Sequence, residues 1–245
     1  MCDFHHGKRI VITILVCGHD VVIIMHKEGD ALLIQQPVYY PFREVIEDNG
    51  RIFVNNQLHY EDGKYTIDFE DFEKKIVDNN VKVFILCNPH NPVGRVWTKE
   101  ELEKMGDICL KHNVVIMDDE IHCDFTYPGF KFTSFMTLDE KYHNSLVLYT
   151  SPSKTFNVAG LQPANIIIKN PELRAAYRKA NAAAGYSQGS IMGQVAVKSV
   201  YTKGDEWVNE LVEYITGNMN YMRDFVKENF PKAHFVDPEG TILPG

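Results

Sequence analysis

The middle third of the chain alternates short apolar runs with one segment of helical spacing. Val81–Cys87 is a nearly continuous apolar run, as expected for a buried strand. Thr98 and Glu101 have the spacing of a helix capping box, and the apolar residues that follow repeat at helical intervals. Apolar runs at 114–117 and 145–150 predict further strands. Strand, helix and strand in this order are typical of a parallel crossover unit, so this stretch predicts an α/β sheet.

The N-terminal third continues the same alternation less regularly. Residues 11–16 and 21–25 are rich in β-branched side chains and predict two buried strands. Residues 31–35 and 51–54 predict two more short strands. Asp68 is placed to cap a helix with an apolar face.

The C-terminal third is predicted to be mainly helical. Residues 165–169 predict a strand, and Asn170–Glu172 indicates a helix start with proline at its first position. Asp205 begins a long amphipathic stretch that ends before Pro231. Its apolar stripe consists of Val208, Leu211, Val212, Ile215, Met219, Met222 and Val226. We expect this stripe to pack in the core rather than to form a groove for a partner.

Composition narrows the class of protein. The 245 residues are 44% hydrophobic and 24% charged, as in an ordinary globular protein. A net charge of -8 disfavours a nucleic-acid or anionic-membrane surface, so we expect a small-molecule partner. Five cysteines without a C-x-x-C spacing favour neither a disulfide framework nor a zinc knuckle, and fit a reducing cytoplasm. The apolar run at 10–25 is too interrupted for a membrane span and lacks a cleavage site for export.

Polar residues follow three of the predicted strands. Asn91, Asp119 and Lys154 each lie just past the carboxyl end of a strand, with Ser151 and Ser153 directly before the lysine. Open α/β sheets bind ligands at this edge. We therefore predict a ligand site that contains all three polar residues.

The chemistry of these residues suggests a carbonyl cofactor. An unprotonated lysine can form a Schiff base, and the two serines can hold a phosphate. A pyridine ring acts as an electron sink only while its nitrogen stays protonated, which a buried carboxylate such as Asp119 ensures. Asn91 and His122 could hydrogen-bond a ring hydroxylate. A solvated Lys154, a capping Asp119 and a structural His122 remain open alternatives at this point.

Two other features allow more than one interpretation. The segment 118–124 is rich in potential metal ligands, but only alternate side chains on a strand end share a face, so we expect no metal there. Tyr39, with Tyr40 and Phe42 nearby, could stack on a flat cofactor. Aromatic residues of a lid or of the core are the alternative.

Three motifs occurring in order resemble a known family. They are Cys87–Arg95 (CNPHNPVGR), Asp119–His122 (DEIH) and Ser151–Leu161 (SPSKTFNVAGL). Together they resemble the pyridoxal-phosphate (PLP) enzymes of the class I/II aminotransferase superfamily (fold type I), and more narrowly its cystathionine β-lyase (C-S lyase) branch. The likeness runs from about Gly29 to Thr241.

The resemblance implies a role for each residue at the sheet edge. Lys154 forms the Schiff base with PLP and moves the α-proton of the substrate. Asp119 pairs with the pyridinium nitrogen, while Asn91 and His122 contact the ring oxygen.

The resemblance also implies the surroundings of the ring. Tyr39 stacks on the ring face, and Ser151 and Ser153 help to bind the phosphate. The implied fold is a three-layer α/β/α domain with a mostly parallel central sheet, the major domain of PLP-dependent transferases. The implied assembly is a homodimer.

The implied reaction is α,β-elimination of L-cystathionine or a related cysteine S-conjugate to pyruvate, ammonia and a thiol. PLP-dependent aminotransfer is the alternative within the superfamily, since the same motifs serve both reactions. A non-catalytic fragment that acts only by binding or dimerisation is the alternative from another class.

The resemblance predicts a division of the chain as well. Residues 1–204 correspond to the PLP-binding large domain, and residues 205–245 to the connecting helix and the start of a truncated small domain. The segment 11–25 lacks the glycine-led turn that cradles the cofactor phosphate in this family, and no arginine corresponds to the family's C-terminal carboxylate clamp. We therefore expect a chain that is incomplete at both ends.

Overall fold

The computed structural model describes residues 28–183 and 190–243, together with the backbone of 12–16 and 19–23. In chain order the strands and α-helices are β1 (Ile12–Val16), β2 (His19–Ile23), β3 (Ala31–Ile34), α1 (Pro41–Asp48), β4 (Ile52–Asn55), β5 (His59–Glu61), β6 (Lys64–Thr66), α2 (Phe69–Asp78), β7 (Val81–Cys87), α3 (Lys99–Lys111), β8 (Val115–Asp119), β9 (Leu146–Thr150), β10 (Asn165–Ile167), α4 (Pro171–Ala183), α5 (Ile191–Lys203) and α6 (Asp205–Asn229). Short 3-10 helices occupy Phe135–Thr137, Glu140–Ser145 and Ala159–Leu161.

The central sheet has six strands in the order β10-β9-β8-β7-β3-β4. Every neighbouring pair is parallel except β10 with β9, which is antiparallel. The predicted mostly parallel sheet is therefore confirmed. Outside it, β1 and β2 pair with each other as an antiparallel ribbon, and β5 and β6 form a small hairpin. The predicted burial of the two N-terminal strands concerns side chains outside the described residues.

Helices cover both faces of the sheet. The apolar residues of α2 and α3, such as Phe72 and Leu102, pack with one face of the sheet in a single cluster. Phe42 of α1 and Tyr177 of α4 pack on the opposite face. The result is the predicted three-layer α/β/α arrangement.

Local sequence signals explain why the helices begin where they do. The Asp68 side chain accepts a hydrogen bond from the Asp71 N–H at the start of α2. At the start of α3, Thr98 and Glu101 form the predicted capping box, with each side chain bonded to the backbone of the other residue. Each cap satisfies backbone N–H groups that the first helical turn leaves without a partner.

Helix α6 differs from what its sequence predicts. Met219 is buried, but Met222 is 38% exposed and the rest of the stripe is only half-buried. The expected core placement is therefore wrong for most of the helix. Among the described residues, the main helical neighbour of α6 is α5. Because α6 is packed on one side, the edges of its apolar stripe stay exposed to solvent.

The segment after α6 returns to the loops that follow β7 and β8. Gly240 forms an isolated antiparallel bridge with Thr126, and Glu239 is buried against Arg95. The division into domains at residue 204 stays a prediction. No helix in the described ranges is both long enough and apolar enough to cross a lipid bilayer.

Candidate active site

The carboxyl ends of β7, β8 and β9 bring the predicted site residues to one edge of the sheet. Asn88 N–H donates to the Asp119 carbonyl at 3.0 Å, and Glu120 N–H donates to the Tyr149 carbonyl at 2.9 Å. These bonds hold the loop after β7, the end of β8 and the end of β9 side by side. Lys154 follows in the turn after β9.

Strand register determines which way Asp119 points. Cys87, Asp119 and Tyr149 are direct partners across three neighbouring parallel strands, so their side chains share a face. Cys87 and Tyr149 belong to the apolar cluster on the α1 and α4 side. Asp119 therefore extends into apolar surroundings, where a carboxylate is poorly solvated.

Burial determines the protonation of Asp119. The side chain accepts a hydrogen bond from Ile121 N–H at 3.2 Å. Burial raises the pKa of Asp119 to about 7, and the negative charge of Glu120 adds to the rise, while the Ile121 N–H and the positive charge of Lys154 oppose it. A carboxylate in such a position favours a cationic partner that removes this penalty.

His122 is held neutral next to the lysine. It is buried, and burial, reinforced by the positive charge of Lys154, lowers its pKa to about 4. Its Nδ1 atom is buried and makes no hydrogen bond to any residue that the structure describes. A neutral imidazole with a free ring nitrogen can hydrogen-bond one polar atom of a ligand.

The positive charge of Lys154 acts to lower the pKa of both Asp119 and His122, so the lysine lies near both residues. Lys154 itself is only partly buried.

Ser151 and Ser153 are buried beside the lysine and bonded to each other. Their Oγ atoms lie 2.7 Å apart, Ser151 Oγ is 2.6 Å from the Pro163 carbonyl oxygen, and Ser153 N–H donates to Ser151 Oγ at 3.1 Å. Ser151 therefore already has partners for its hydroxyl, and Ser153 is the freer of the two. Their role in phosphate binding stays a prediction.

Tyr39 and Asn91 lie on two loops that touch. Tyr39 is partly buried in the turn between β3 and α1, with its ring edge-on to Phe42 at 5.7 Å. His90 Nε2 lies 3.0 Å from the Pro37 carbonyl oxygen and so joins the Tyr39 loop to the loop that carries Asn91. Asn91 is buried, and its backbone N–H donates to Cys87 Sγ at 3.4 Å.

Sequence reasoning missed two features of the site. Tyr149 lies in the same row as Asp119, and its buried hydroxyl makes no hydrogen bond among the described residues. Thr155 Oγ1 donates to Asp124 Oδ2 at 2.7 Å and ties the Lys154 turn to the loop after β8. Face alternation along β9 could have indicated Tyr149, whereas the bond from Thr155 to Asp124 spans 31 residues and has no local signal.

The acidic residues of 118–124 divide between the two faces of the sheet. Asp118 pairs in register with Leu86, which packs on the α2 and α3 side, so the Asp118 side chain faces that side of the sheet. Burial, together with the charge of Glu120, holds the pKa of Asp118 well above its ordinary value. Glu120 accepts from Phe135 N–H at 2.9 Å. Within the described residues no group of three or more His, Cys, Asp or Glu side chains has the arrangement of a metal site.

Solved structures with a similar fold indicate the class of protein. Cystalysin from Treponema denticola, whose crystal structure contains a pyridoxal 5'-phosphate cofactor, matches with a TM-score of 0.87 and 40% identity over 89% of this chain and 55% of cystalysin. The PLP-bound C-S lyase from Staphylococcus hominis matches with a TM-score of 0.81 and 35% identity over 89% of this chain and 54% of the lyase. The fold is thus that of PLP-dependent enzymes.

The family follows from the sequence comparisons. The family model for aminotransferase class I and II matches residues 17–244. Cystathionine beta-lyase PatB from Bacillus subtilis is 42% identical over 215 residues, which cover 88% of this chain and 56% of PatB. The chain belongs to the class I and II aminotransferase family, and it spans just over half the length of these relatives.

Proposed function

We propose that the protein is a PLP-dependent carbon–sulfur lyase of the cystathionine β-lyase type. Its reaction is α,β-elimination of L-cystathionine or a related cysteine S-conjugate to pyruvate, ammonia and a thiol. The observation that carries the proposal is the convergence of Lys154 with a buried Asp119 and a buried, neutral His122. The name of PatB, at 42% identity, supports the lyase reaction.

The residues present fit this cofactor. Asp119 is a buried carboxylate that gains most from a cationic partner such as a pyridinium nitrogen, because burial raises its pKa to about 7. The unpartnered Nδ1 of His122 matches a ring oxygen. The hydroxyls of Ser151 and Ser153 are the corresponding donors for a phosphate.

Each residue then has a physical task. The bound cofactor supplies an electron sink for the electrons of the substrate's α-carbon. Asp119 keeps a proton on the ring nitrogen, and Asn91 and His122 orient the ring through its oxygen. Lys154 Nζ would anchor the cofactor and, once released, would accept the α-proton while the thiolate leaves from the β-carbon. Tyr39 shields one ring face from water.

Aminotransfer is the second candidate function. The probable kynurenine–oxoglutarate transaminase BNA3 of Saccharomyces cerevisiae is 31% identical over 226 residues. The same lysine serves either reaction, since only the destination of the proton differs. We further propose that the protein works as a homodimer, as the family resemblance implies. The five cysteines without a C-x-x-C spacing support a location in the cytoplasm.

The first experiment tests cofactor attachment. Purified protein is titrated with PLP, the absorption band of lysine-linked PLP is followed, and the adduct is reduced with borohydride and located by peptide mass spectrometry. We expect the band in the wild type and in the control Lys179→Ala, which changes an exposed lysine of α4, but not in Lys154→Ala. Attachment elsewhere than Lys154, or a band that survives Lys154→Ala, contradicts the proposal.

The second experiment separates the reactions. The PLP-loaded protein is given L-cystathionine, and pyruvate release is compared with amino transfer to an added keto acid. Pyruvate formed without a keto acid supports the lyase, and strictly keto-acid-dependent turnover supports the aminotransferase. PLP attachment without either reaction supports a chain that binds but does not turn over.

A further inference from the structure

The C-terminal segment 236–241 lies between the two loops that carry Asn91 and His122. On one side, the N–H groups of Glu239 and Gly240 donate to the Gly94 carbonyl at 2.7 and 3.0 Å. On the other side, Tyr127 N–H donates to the Glu239 carbonyl at 3.0 Å, and Thr241 N–H donates to the Phe125 carbonyl at 3.0 Å. One short segment thus hydrogen-bonds both loops, although it is more than a hundred residues away in sequence.

The contact is close enough to require glycine on both partners. Gly94 has φ +71, and a Cβ there would lie 2.7 Å from Pro238 Cβ. A Cβ on Gly240 would lie 2.6 Å from the Phe125 carbonyl oxygen. Such approaches are shorter than any allowed carbon contact, so the two backbones can meet only without side chains at these positions.

Glu239 supplies the charged part of this contact. Its Oε2 accepts from Arg95 Nε and from Val96 N–H, both at 2.9 Å, and its Oε1 lies 3.4 Å from Lys64 Nζ. Arg95 is 3% exposed and also donates to both Glu101 oxygens at 2.9 Å. A buried guanidinium with two carboxylate partners is well compensated, and the loss of one partner leaves it poorly compensated.

Backbone hydrogen bonds connect the ion pair of Arg95 and Glu239 to the loop that carries Asn91. The Arg95 carbonyl accepts from His90 N–H, and the His90 carbonyl accepts from Gly94 N–H, each at 2.8 Å. These bonds close the loop 90–95, which contains Asn91. On the second loop, the His122 carbonyl accepts from Phe125 N–H at 2.9 Å, and Phe125 is itself bound by Thr241.

We propose that residues 236–241 act as a clamp on the cofactor site and that Glu239 is a positioning residue, which holds Asn91 and His122 at the spacing that the ring oxygen requires. The part of this inference that concerns the ring rests on the proposed function. The clamp itself concerns only contacts within the chain.

The test compares Glu239→Ala and Glu239→Gln with the wild type. The control Glu73→Ala removes a carboxylate that pairs with Lys111 and His112 at a distance from the site. Amide hydrogen exchange of the cofactor-free full chain is measured for peptides covering 88–97, 120–127 and, as a reference, 171–183. PLP affinity is measured from the absorption band.

We expect faster exchange in the two loops but not in the α4 peptide, and PLP binding that is weaker by about tenfold or more in Glu239→Ala, as for other residues that orient a ligating group. Glu239→Gln keeps an oxygen for Val96 N–H and should be intermediate. Glu73→Ala should change neither measurement in the loops.

Other outcomes decide against the clamp. Exchange that rises equally in all peptides shows a merely structural role for Glu239, and unchanged loop exchange shows no role. If Glu239→Ala does not fold, Glu239→Gln decides by the same criteria. If the wild type binds no PLP, the proposed function fails, and exchange alone decides whether the clamp exists.

Discussion

The strands β7 to β9 and helix α6 both have apolar residues in a recognisable pattern, but the strands are buried, whereas α6 buries only Met219. Phe84 in β7 is 0% exposed, whereas Phe225 in α6 is 45% exposed. The strands have helices on both faces, and α6 is packed mainly against α5 among the described residues. An apolar pattern thus indicates which side of an element can be buried, and the neighbouring elements decide whether it is.

The largest expected effect comes from equivalent truncations in the two regions. Phe84 packs edge-on against Phe72 with ring centroids 4.9 Å apart. Phe84→Ala should lower the free energy of unfolding by about 3–5 kcal/mol because it leaves a cavity in close-packed surroundings. Phe225→Ala should lower it by about 1 kcal/mol or less. Denaturant unfolding measures both, and equal costs would mean that α6 is covered by a partner in solution.

The next effect concerns the charge at the end of β8. Because burial raises the pKa of Asp119 to about 7 in the folded protein, this carboxyl group binds more protons in the folded state than in the unfolded state between about pH 4 and pH 7. Its contribution to the free energy of unfolding of the PLP-free protein should therefore fall as pH rises through this window, by at most about 4 kcal/mol, while the lowered pKa values of His90 and His122 contribute in the opposite direction.

Asp119→Asn should remove this contribution, so between pH 4 and pH 7 the stability of the variant should fall less, or rise more, with pH than that of the wild type. The pKa of Asp118 is also raised well above its ordinary value by burial and by Glu120, so Asp118 should likewise lower stability as pH rises above that ordinary value, and Asp118→Asn is the matched variant that removes that contribution. Thermal unfolding between pH 4 and pH 9 provides the measurement. A profile for Asp119→Asn that is as steep as the wild type between pH 4 and pH 7 would contradict the buried position of Asp119.

The smallest expected effect compares two tyrosine hydroxyls. Tyr149 has a buried hydroxyl without a hydrogen bond to the part of the chain that the structure describes, so Tyr149→Phe should stabilise the PLP-free protein by about 1 kcal/mol or more. Tyr221 on α6 is 69% exposed, and Tyr221→Phe should change stability by less than about 0.5 kcal/mol. Chemical denaturation of both variants checks the pair. A destabilised Tyr149→Phe would show that this hydroxyl has a partner in solution.

The sequence predicted most of the fold correctly because its signals are local. Thr98 and Glu101 identified the start of α3, and Asp68 identified the start of α2. The alternation of strands and helices predicted an α/β sheet with parallel crossovers, and the parallel pairs β4–β3, β3–β7, β7–β8 and β8–β9 confirm it. The prediction for α6 was wrong because amphipathic spacing contains no information about a covering neighbour.

For the candidate site, the sequence identified the residues but not their environment. The ends of parallel strands meet at one edge, so Asp119 and Lys154 could be brought together from strand order alone. The depth of burial that raises the pKa of Asp119 and lowers that of His122 required the packing of α1 and α4 on the same face. Tyr149 belongs to the site because it is the direct partner of Asp119 in the register of β8 and β9.

By itself, the sequence determined the elements, their order, the sheet edge and the three motifs of the family, because periodicity and capping act over a few residues. Only the tertiary structure decided the row formed by Cys87, Asp119 and Tyr149, and the exposure of α6. It also decided the ion pair between Arg95 and Glu239, which are 144 residues apart. Desolvation and long-range pairing depend on which atoms are adjacent in space, and adjacency is fixed only when the layers pack.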